Sequence, residues 1–332
     1  MNQLTRRAAE AWLLDQLTAA VRADERVLVG LDFPYGYPAG FAAALGLDGQ
    51  PWKGVWRHLA SHITDDERNR SNRFKVASHI NRKLGRHAPF WGRPAHLTLP
   101  DLPSHKEVAY LGASESGGLS QWRQVEDRLR RLRKRPQPVW KLYYPGSVGS
   151  QTLVGIPVLD RLRNHDELRS VSRVWPFEVL VPSLPVGRAA VVHAEIWPSI
   201  VPFGHEVGSC PDEQQVRAMV ERWRQLDGED RLAEWFAAAP DDDRVRGEEG
   251  WVLGVPSSRT IDAPDLPEVR AGPPTRAPVR PRPAPVTTVA ASGDRPPCLC
   301  GCGKYPVGKR SRFMPRHDQR INPATGRRFN AH

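Results

Sequence analysis

Residues 27–32 read Val27-Leu28-Val29-Gly30-Leu31-Asp32, an apolar run that ends in one acid and passes at once into the turn Phe33-Pro34-Tyr35-Gly36-Tyr37-Pro38. A short apolar run bounded by turn residues predicts a buried strand. An acid at the carboxyl end of such a strand stands where open α/β sheets place their chemistry. Two later stretches carry acids able to converge on it, His193-Ala194-Glu195-Ile196-Trp197 and Cys210-Pro211-Asp212-Glu213-Gln214. Each acid also has a plainer role open to it. Asp32 can cap the following turn or helix, and Asp212 favours a helix dipole.

The flanking periodicities place this strand among helices. Ala8, Trp12, Leu13, Leu17, Ala20 and Val21 recur at three- and four-residue spacing and predict a helix over 5–22. Short helical signals follow at 41–45 and around Trp52 and Trp56. The polar and aromatic stretch from Asn72-Arg73-Phe74 to Pro89-Phe90-Trp91-Gly92 reads either as a substrate grip or as a loop-rich cap held by its own hydrogen bonds. A basic segment, 120–135, reads as a helix with Trp122, Val125, Leu129 and Leu132 inside and its Arg and Lys residues solvated. Residues 140–144 read as a strand leading into Gly146-Ser147-Val148-Gly149-Ser150. Gly146, Ser147, Gly149 and Ser150 are thereby candidate anion-binding residues at the start of a helix over 151–163. That loop lacks the Lys-Ser/Thr of a nucleotide loop and the three glycines of a dinucleotide fingerprint. Strands are expected at 174–181 and 189–196, and helices at 214–226 and around Leu232, Trp235 and Phe236. Cys210 reads as a semi-buried thiol.

The 332 residues suffice for one large domain or two small ones, and the formal charge of +11 is unevenly spread. Residues 271–332 hold twelve Lys or Arg against Asp294 and Asp318, a net of +10, which leaves +1 for the preceding 270. A basic surface concentrated at one end points to an acidic partner. No apolar run approaches the roughly 20 residues of a membrane span. The charged amphipathic start lacks the apolar core of a signal peptide, so a cytoplasmic location is expected.

Residues 256–297 are rich in Pro and without helical period, the pattern of an extended linker. Beyond it, Cys298, Cys300, Cys302 and His317 supply the four tetrahedral donors of a structural zinc. Gly301 and Gly303 permit the tight bend that such spacing needs. A segment this small has no sizeable core, so the metal supplies its fold. Phe313 is its miniature core, and Lys304, Lys309, Arg310, Arg312 and Arg316 form a surface for nucleic acid. The alternative is three reactive thiols in an unfolded tail.

Gly30 to Gly40, Asn72-Arg73-Phe74, Pro89-Phe90-Trp91-Gly92, Gly146 to Gln151, Val174-Trp175-Pro176-Phe177-Glu178 and Glu248-Glu249-Gly250-Trp251-Val252-Leu253-Gly254 together resemble one uncharacterised bacterial family. Its members are often labelled molybdopterin-guanine-dinucleotide or cobalamin biosynthesis proteins. The resemblance covers about residues 5–255 and implies the RNase H-like fold of a predicted nuclease superfamily. The last segment resembles the small Cys-x-Cys-x-Cys…Phe-x-Pro-x-His-Asp metal-binding tails of varied bacterial and phage proteins.

RNase H-like enzymes gather carboxylates from a first strand, a neighbouring strand and a late helix around two Mg²⁺ ions, which activate water and stabilise the leaving oxygen of a phosphodiester. By this resemblance Asp32 matches the neighbouring-strand acid, Glu195 a later-strand acid and Asp212 the late-helix acid. That fold opens with a three-stranded hairpin layer carrying the leading acid, whereas this chain opens at the first helix. The start is then internal to a longer reading frame, or the member is degenerate. The expected architecture is α/β: a partial RNase H-like domain over 1–255 without its N-terminal hairpin layer, a Pro-rich linker over 256–297 and a small basic zinc-binding segment over 298–332. Three functions fit: a Mg²⁺-dependent nuclease, a non-catalytic nucleic-acid-binding protein, and a small-molecule enzyme of cofactor biosynthesis that grips phosphate at Gly146–Ser150.

Overall fold

The computed structural model describes residues 3–107, 118–180, 188–203 and 210–257. The chain divides into two units, Met1–Arg270 and Ala271–His332, and every described residue lies in the first. Cys298, Cys300, Cys302, His317 and the basic residues Lys304, Lys309, Arg310, Arg312 and Arg316 lie outside the described residues.

Thr5 is extended and accepts the Ala8 amide at 3.1 Å, which starts helix α1 (Arg6–Arg22). A tight turn with Asp24 at φ 59° reverses the chain into strand β1 (Arg26–Leu31). Helices α2 (Phe41–Ala44), α3 (Pro51–His62), α4 (Arg73–Leu84), α5 (Gln124–Arg131) and α6 (Gly149–Asn164) then lead to strand β2 (Ser172–Val174) and strand β3 (Ala190–Glu195). Helices α7 (Pro211–Gly228) and α8 (Leu232–Ala237) follow, and a π-type turn at Val245–Glu249 precedes the last described stretch. The described strands form one sheet of order β1-β3-β2, parallel at both pairings. This is a mixed α/β architecture.

Burial explains the order. All six residues of β3 are buried, as the central strand of a sheet covered on both faces requires. On one face Val29 and Val191 meet Leu17 of α1. On the other, Val192, Ala194 and Ile196 meet Met219 and Trp223 of α7. A second core of Tyr37, Phe41, Phe90 and Trp140 rings, with centroids 4.6–6.1 Å apart, fills the space under α2, α3 and α4. Asn81 holds the cap over it, donating to the carbonyls of Phe90 and Asp101 and accepting the Phe90 amide. The Asn72–Gly92 stretch is therefore tied by hydrogen bonds of Asn81, but most of it is helix α4, in place of the loop-rich cap expected.

On the other side of β1 no strand follows among the described residues. Ala190 and Ile196 donate their amides to Glu25 and Leu31. By strand alternation, Arg26, Leu28 and Gly30 turn their amides and carbonyls away from β3. An open cleft of about 960 Å³ runs along this edge between α1 and α7, lined by Trp12, Leu17, Val216, Met219 and Trp223.

Several local expectations differ from the structure. β2 ends at Val174, where the Glu178 carboxylate accepts the Val174 amide and the Glu178 amide donates to the Val174 carbonyl, closing a turn, so no strand extends over 174–180. Residues 140–144 are turns with one bridge, Trp91 to Lys141, in place of a strand. Cys210 is exposed, because it caps the start of α7 from outside the core. No helix among the described residues is long and apolar enough to cross a membrane.

Candidate functional site at the carboxyl edge of the sheet

Leu31 and Glu195 are partners across the β1–β3 ladder. Asp32, the next residue, and Glu195 therefore leave the sheet together at its carboxyl edge, where α/β sheets bind ligands. Helix α7 brings Asp212 in its first turn, started by Pro211. The pKa of Asp32 is pushed up to about 6, first by desolvation and then by the charges of Glu195 and Asp212. The three acids singled out from the sequence thus share one electrostatic neighbourhood.

Their roles differ. Glu195 is 3% exposed and gripped at both oxygens by Arg123, Nη1 to Oε2 at 2.7 Å and Nη2 to Oε1 at 2.6 Å. Its Oε2 also accepts the Tyr35 amide at 3.0 Å, which fixes the turn after Asp32. With its lone pairs so engaged, Glu195 is a scaffold for Asp32 and is not presented as a third metal ligand. Asp32 and Asp212 are both exposed and enter no hydrogen bond or salt bridge among the described residues. Among those residues no group of three His, Cys, Asp or Glu side chains is arranged around a common metal position.

Arg123 is the residue the sequence reading placed wrongly. It belongs to the basic 120–135 segment expected to face solvent, yet it is 1% exposed. Its Nε donates to Glu126 at 2.8 Å and its Nη1 to the Glu249 carbonyl at 2.8 Å. Burial alone lowers an arginine's pKa; Glu126 and Glu195 more than reverse this, so the pKa of Arg123 is raised. Glu126 accepts the Arg123 amide at 2.6 Å, the one-sided half of a helix cap, since an arginine side chain has no acceptor to return the bond.

Glu248 and Glu249 complete the frame from the other end of the chain. Glu248 accepts the amides of Gly40 at 2.7 Å and Ala42 at 2.5 Å, which caps α2. Glu249 accepts those of Ala39 at 3.0 Å and Gln124 at 2.6 Å. Two acids one residue before the apolar Trp251-Val252-Leu253 run were the signal for buried carboxylates. Burial raises the pKa of both against these hydrogen bonds.

Three polar groups of the Gly146–Ser150 loop are engaged within the protein. Ser147 donates its amide to Tyr144, Gly149 its amide to Lys141, and Ser150 its hydroxyl to Leu142. A Cβ at Gly149 would stand 2.2 Å from the Val139 carbonyl, so close backbone packing accounts for this glycine. Gly146, at φ 75°, forms the exposed turn before it.

No family model matches the chain, and no curated protein or solved structure matches it either.

Proposed function

We propose that this protein acts on nucleic acid as a metal-dependent phosphodiester hydrolase of RNase H-like type. One observation carries the reading: Asp32, at the carboxyl edge of a parallel sheet, and Asp212, in the first turn of α7, are exposed carboxylates without a hydrogen-bond or salt-bridge partner among the described residues, and the charge of Asp212 acts on Asp32. Surplus negative charge held by a rigid frame suits a hard divalent cation, and Mg²⁺ is commonly held by one or two carboxylates with substrate phosphates filling its shell. A cation bound there supplies charge stabilisation to a phosphoryl oxygen. Asp32 and Asp212 are its protein ligands in this reading, and Glu195 holds the Asp32 turn through Tyr35. The Cys298, Cys300, Cys302 and His317 set binds zinc in the same reading. Lys304, Lys309, Arg310, Arg312 and Arg316 bring phosphate to the domain.

A second reading, a non-catalytic nucleic-acid-binding protein, is favoured by the engagement of Glu195 with Arg123. The third, a small-molecule enzyme, loses support from the engagement of three polar groups of the Gly146–Ser150 loop within the protein. The test is cleavage of single- and double-stranded DNA and RNA by the full chain with Mg²⁺ or Mn²⁺, beside Asp32→Asn. Cleavage lost in Asp32→Asn with binding retained supports the hydrolase. Binding without any cleavage leaves the second reading, and neither binding nor cleavage overturns both.

A further inference from the structure

The residues just before the Gly146 turn present a different surface. Tyr143 and Tyr144 are 41% and 37% exposed, unusual for large rings among the described residues. They are not loosely hung. Phe74, buried in α4, meets Tyr143 edge-on at 6.3 Å; Tyr143 meets Tyr144 at 5.0 Å; Tyr144 stacks on His105 at 5.7 Å and 26°. A continuous ladder of four rings thus runs from the core to the surface. Tyr144 holds φ 78°, a left-handed conformation that costs a tyrosine of order 1 kcal/mol.

Cations border this ladder. The Arg73 guanidinium lies 4.5 Å from the Phe74 ring centroid and, among the described residues, donates to the hydroxyls of Ser150, at 3.0 Å, and Ser71, at 2.7 Å. Asp65, the acid that acts on Arg73, is held at both oxygens by Arg6, at 2.5 and 2.6 Å. Arg73 therefore has no salt bridge among the described residues. Lys141 donates to Gln137 and to the Pro145 carbonyl, each at 2.8 Å, and has no acid partner among the described residues.

We propose that the Tyr143–Tyr144–His105 ladder, with Arg73 and Lys141 beside it, is a stacking platform for single-stranded nucleic acid. Preorganised aromatic faces next to unneutralised cations match exposed bases joined by phosphates, and stacking of this kind tolerates any sequence. A duplex hides its base faces, so the platform selects single strands. A proline-rich peptide also uses aromatic surfaces, but it offers no phosphates to Arg73 and Lys141. This inference rests on the nucleic-acid reading above and names its substrate class.

The test is fluorescence anisotropy of full-length protein with a labelled poly-dT oligonucleotide and with a duplex, at low and high salt. The variants are Tyr143→Ala/Tyr144→Ala and Tyr143→Phe/Tyr144→Phe, with far-UV circular dichroism to verify folding. The alanine pair is expected to bind the single strand roughly 10–100-fold more weakly, most clearly at high salt, with duplex binding unchanged. The phenylalanine pair should bind like the parent. Parent-like single-strand binding by a folded alanine pair overturns the platform and leaves the proposed function standing. Displacement of poly-dT by a proline-rich peptide at equal affinity overturns the choice of ligand. Failure of the parent to bind either nucleic acid overturns the proposed function, and the platform with it.

Discussion

Arg123 grips Glu195 through two parallel hydrogen bonds of 2.6 and 2.7 Å, with both side chains out of solvent. Through this pair, α5, the carboxyl end of β3 and the turn after β1 become one frame, because Glu195 also accepts the Tyr35 amide. Removing one partner of a buried pair leaves the other charge uncompensated and costs about 3–5 kcal/mol. Arg123 faces two carboxylates, Glu195 and Glu126, so its loss belongs at the upper end of that range. Arg123→Met is expected to lower the urea midpoint sharply. Arg123→Lys keeps the charge but loses the fork, and should fall between the variant and the parent.

Asp32 and His193 set opposite pH trends. The folded pKa of Asp32, about 6, lies above its ordinary 3.8, so the folded state holds more protons between these values and this contribution weakens as pH rises from 4 to 6. His193 is buried with Nε2 2.8 Å from Ser172 Oγ, and burial lowers its pKa to about 4 from an ordinary 6.5. It destabilises the fold as pH falls through that interval. Asp32→Asn should therefore be more stable than the parent above pH 6, by less than about 1 kcal/mol given the screening of an exposed carboxylate. The difference should vanish near pH 4. Denaturant midpoints measured from pH 4 to 8 check both the sign and the window.

These groups also show what the sequence could and could not disclose. Asp32 was legible because a strand ending in an acid is a local pattern, and Asp212 because a helix start is one too. Helices α1, α3, α7 and α8 followed from apolar spacing. Arg123 was not legible, since a run of Arg and Lys reads as a solvated face unless the buried acids opposite are known. Its partner Glu195 lies 72 residues away, and no local pattern joins them. The end of β2 was hidden too: Val174-Trp175-Pro176 has strand composition, and the bonds from Glu178 back to Val174 that turn the chain leave no mark in that composition.

Helix α7 shows the limit of periodicity as a guide to burial. Val216, Met219, Val220 and Trp223 keep one helical spacing, yet Val216 is 48% exposed and Met219 1%. Val216 and Val220 face the open cleft beside β1, while Met219 and Trp223 reach the sheet. Val216→Lys should change stability by no more than about 0.5 kcal/mol. Met219→Ala should cost about 2–5 kcal/mol, the usual range for emptying a buried position. Thermal melts of the two variants would separate them, and equal effects would contradict this placement of α7.

Gly36 joins the two ends of the domain more tightly than any side chain at the site. A Cβ there would stand 2.1 Å from the Glu248 carbonyl oxygen and 2.6 Å from that of Glu249. Both contacts are backbone, and Glu248 and Glu249 are themselves tied to Ala39, Gly40, Ala42 and Gln124. Neither side of the contact can yield without breaking those caps. Gly36→Ala should thus cost at least the roughly 1–3 kcal/mol of ordinary overpacking, and should displace the turn that carries Asp32. A control at Gly46, where a Cβ meets nothing within 4 Å but φ is 63°, isolates backbone strain from collision. Gly46→Ala is expected to cost about 1 kcal/mol. A smaller loss for Gly36→Ala than for Gly46→Ala in urea unfolding would show that the two motifs do not meet as closely as described.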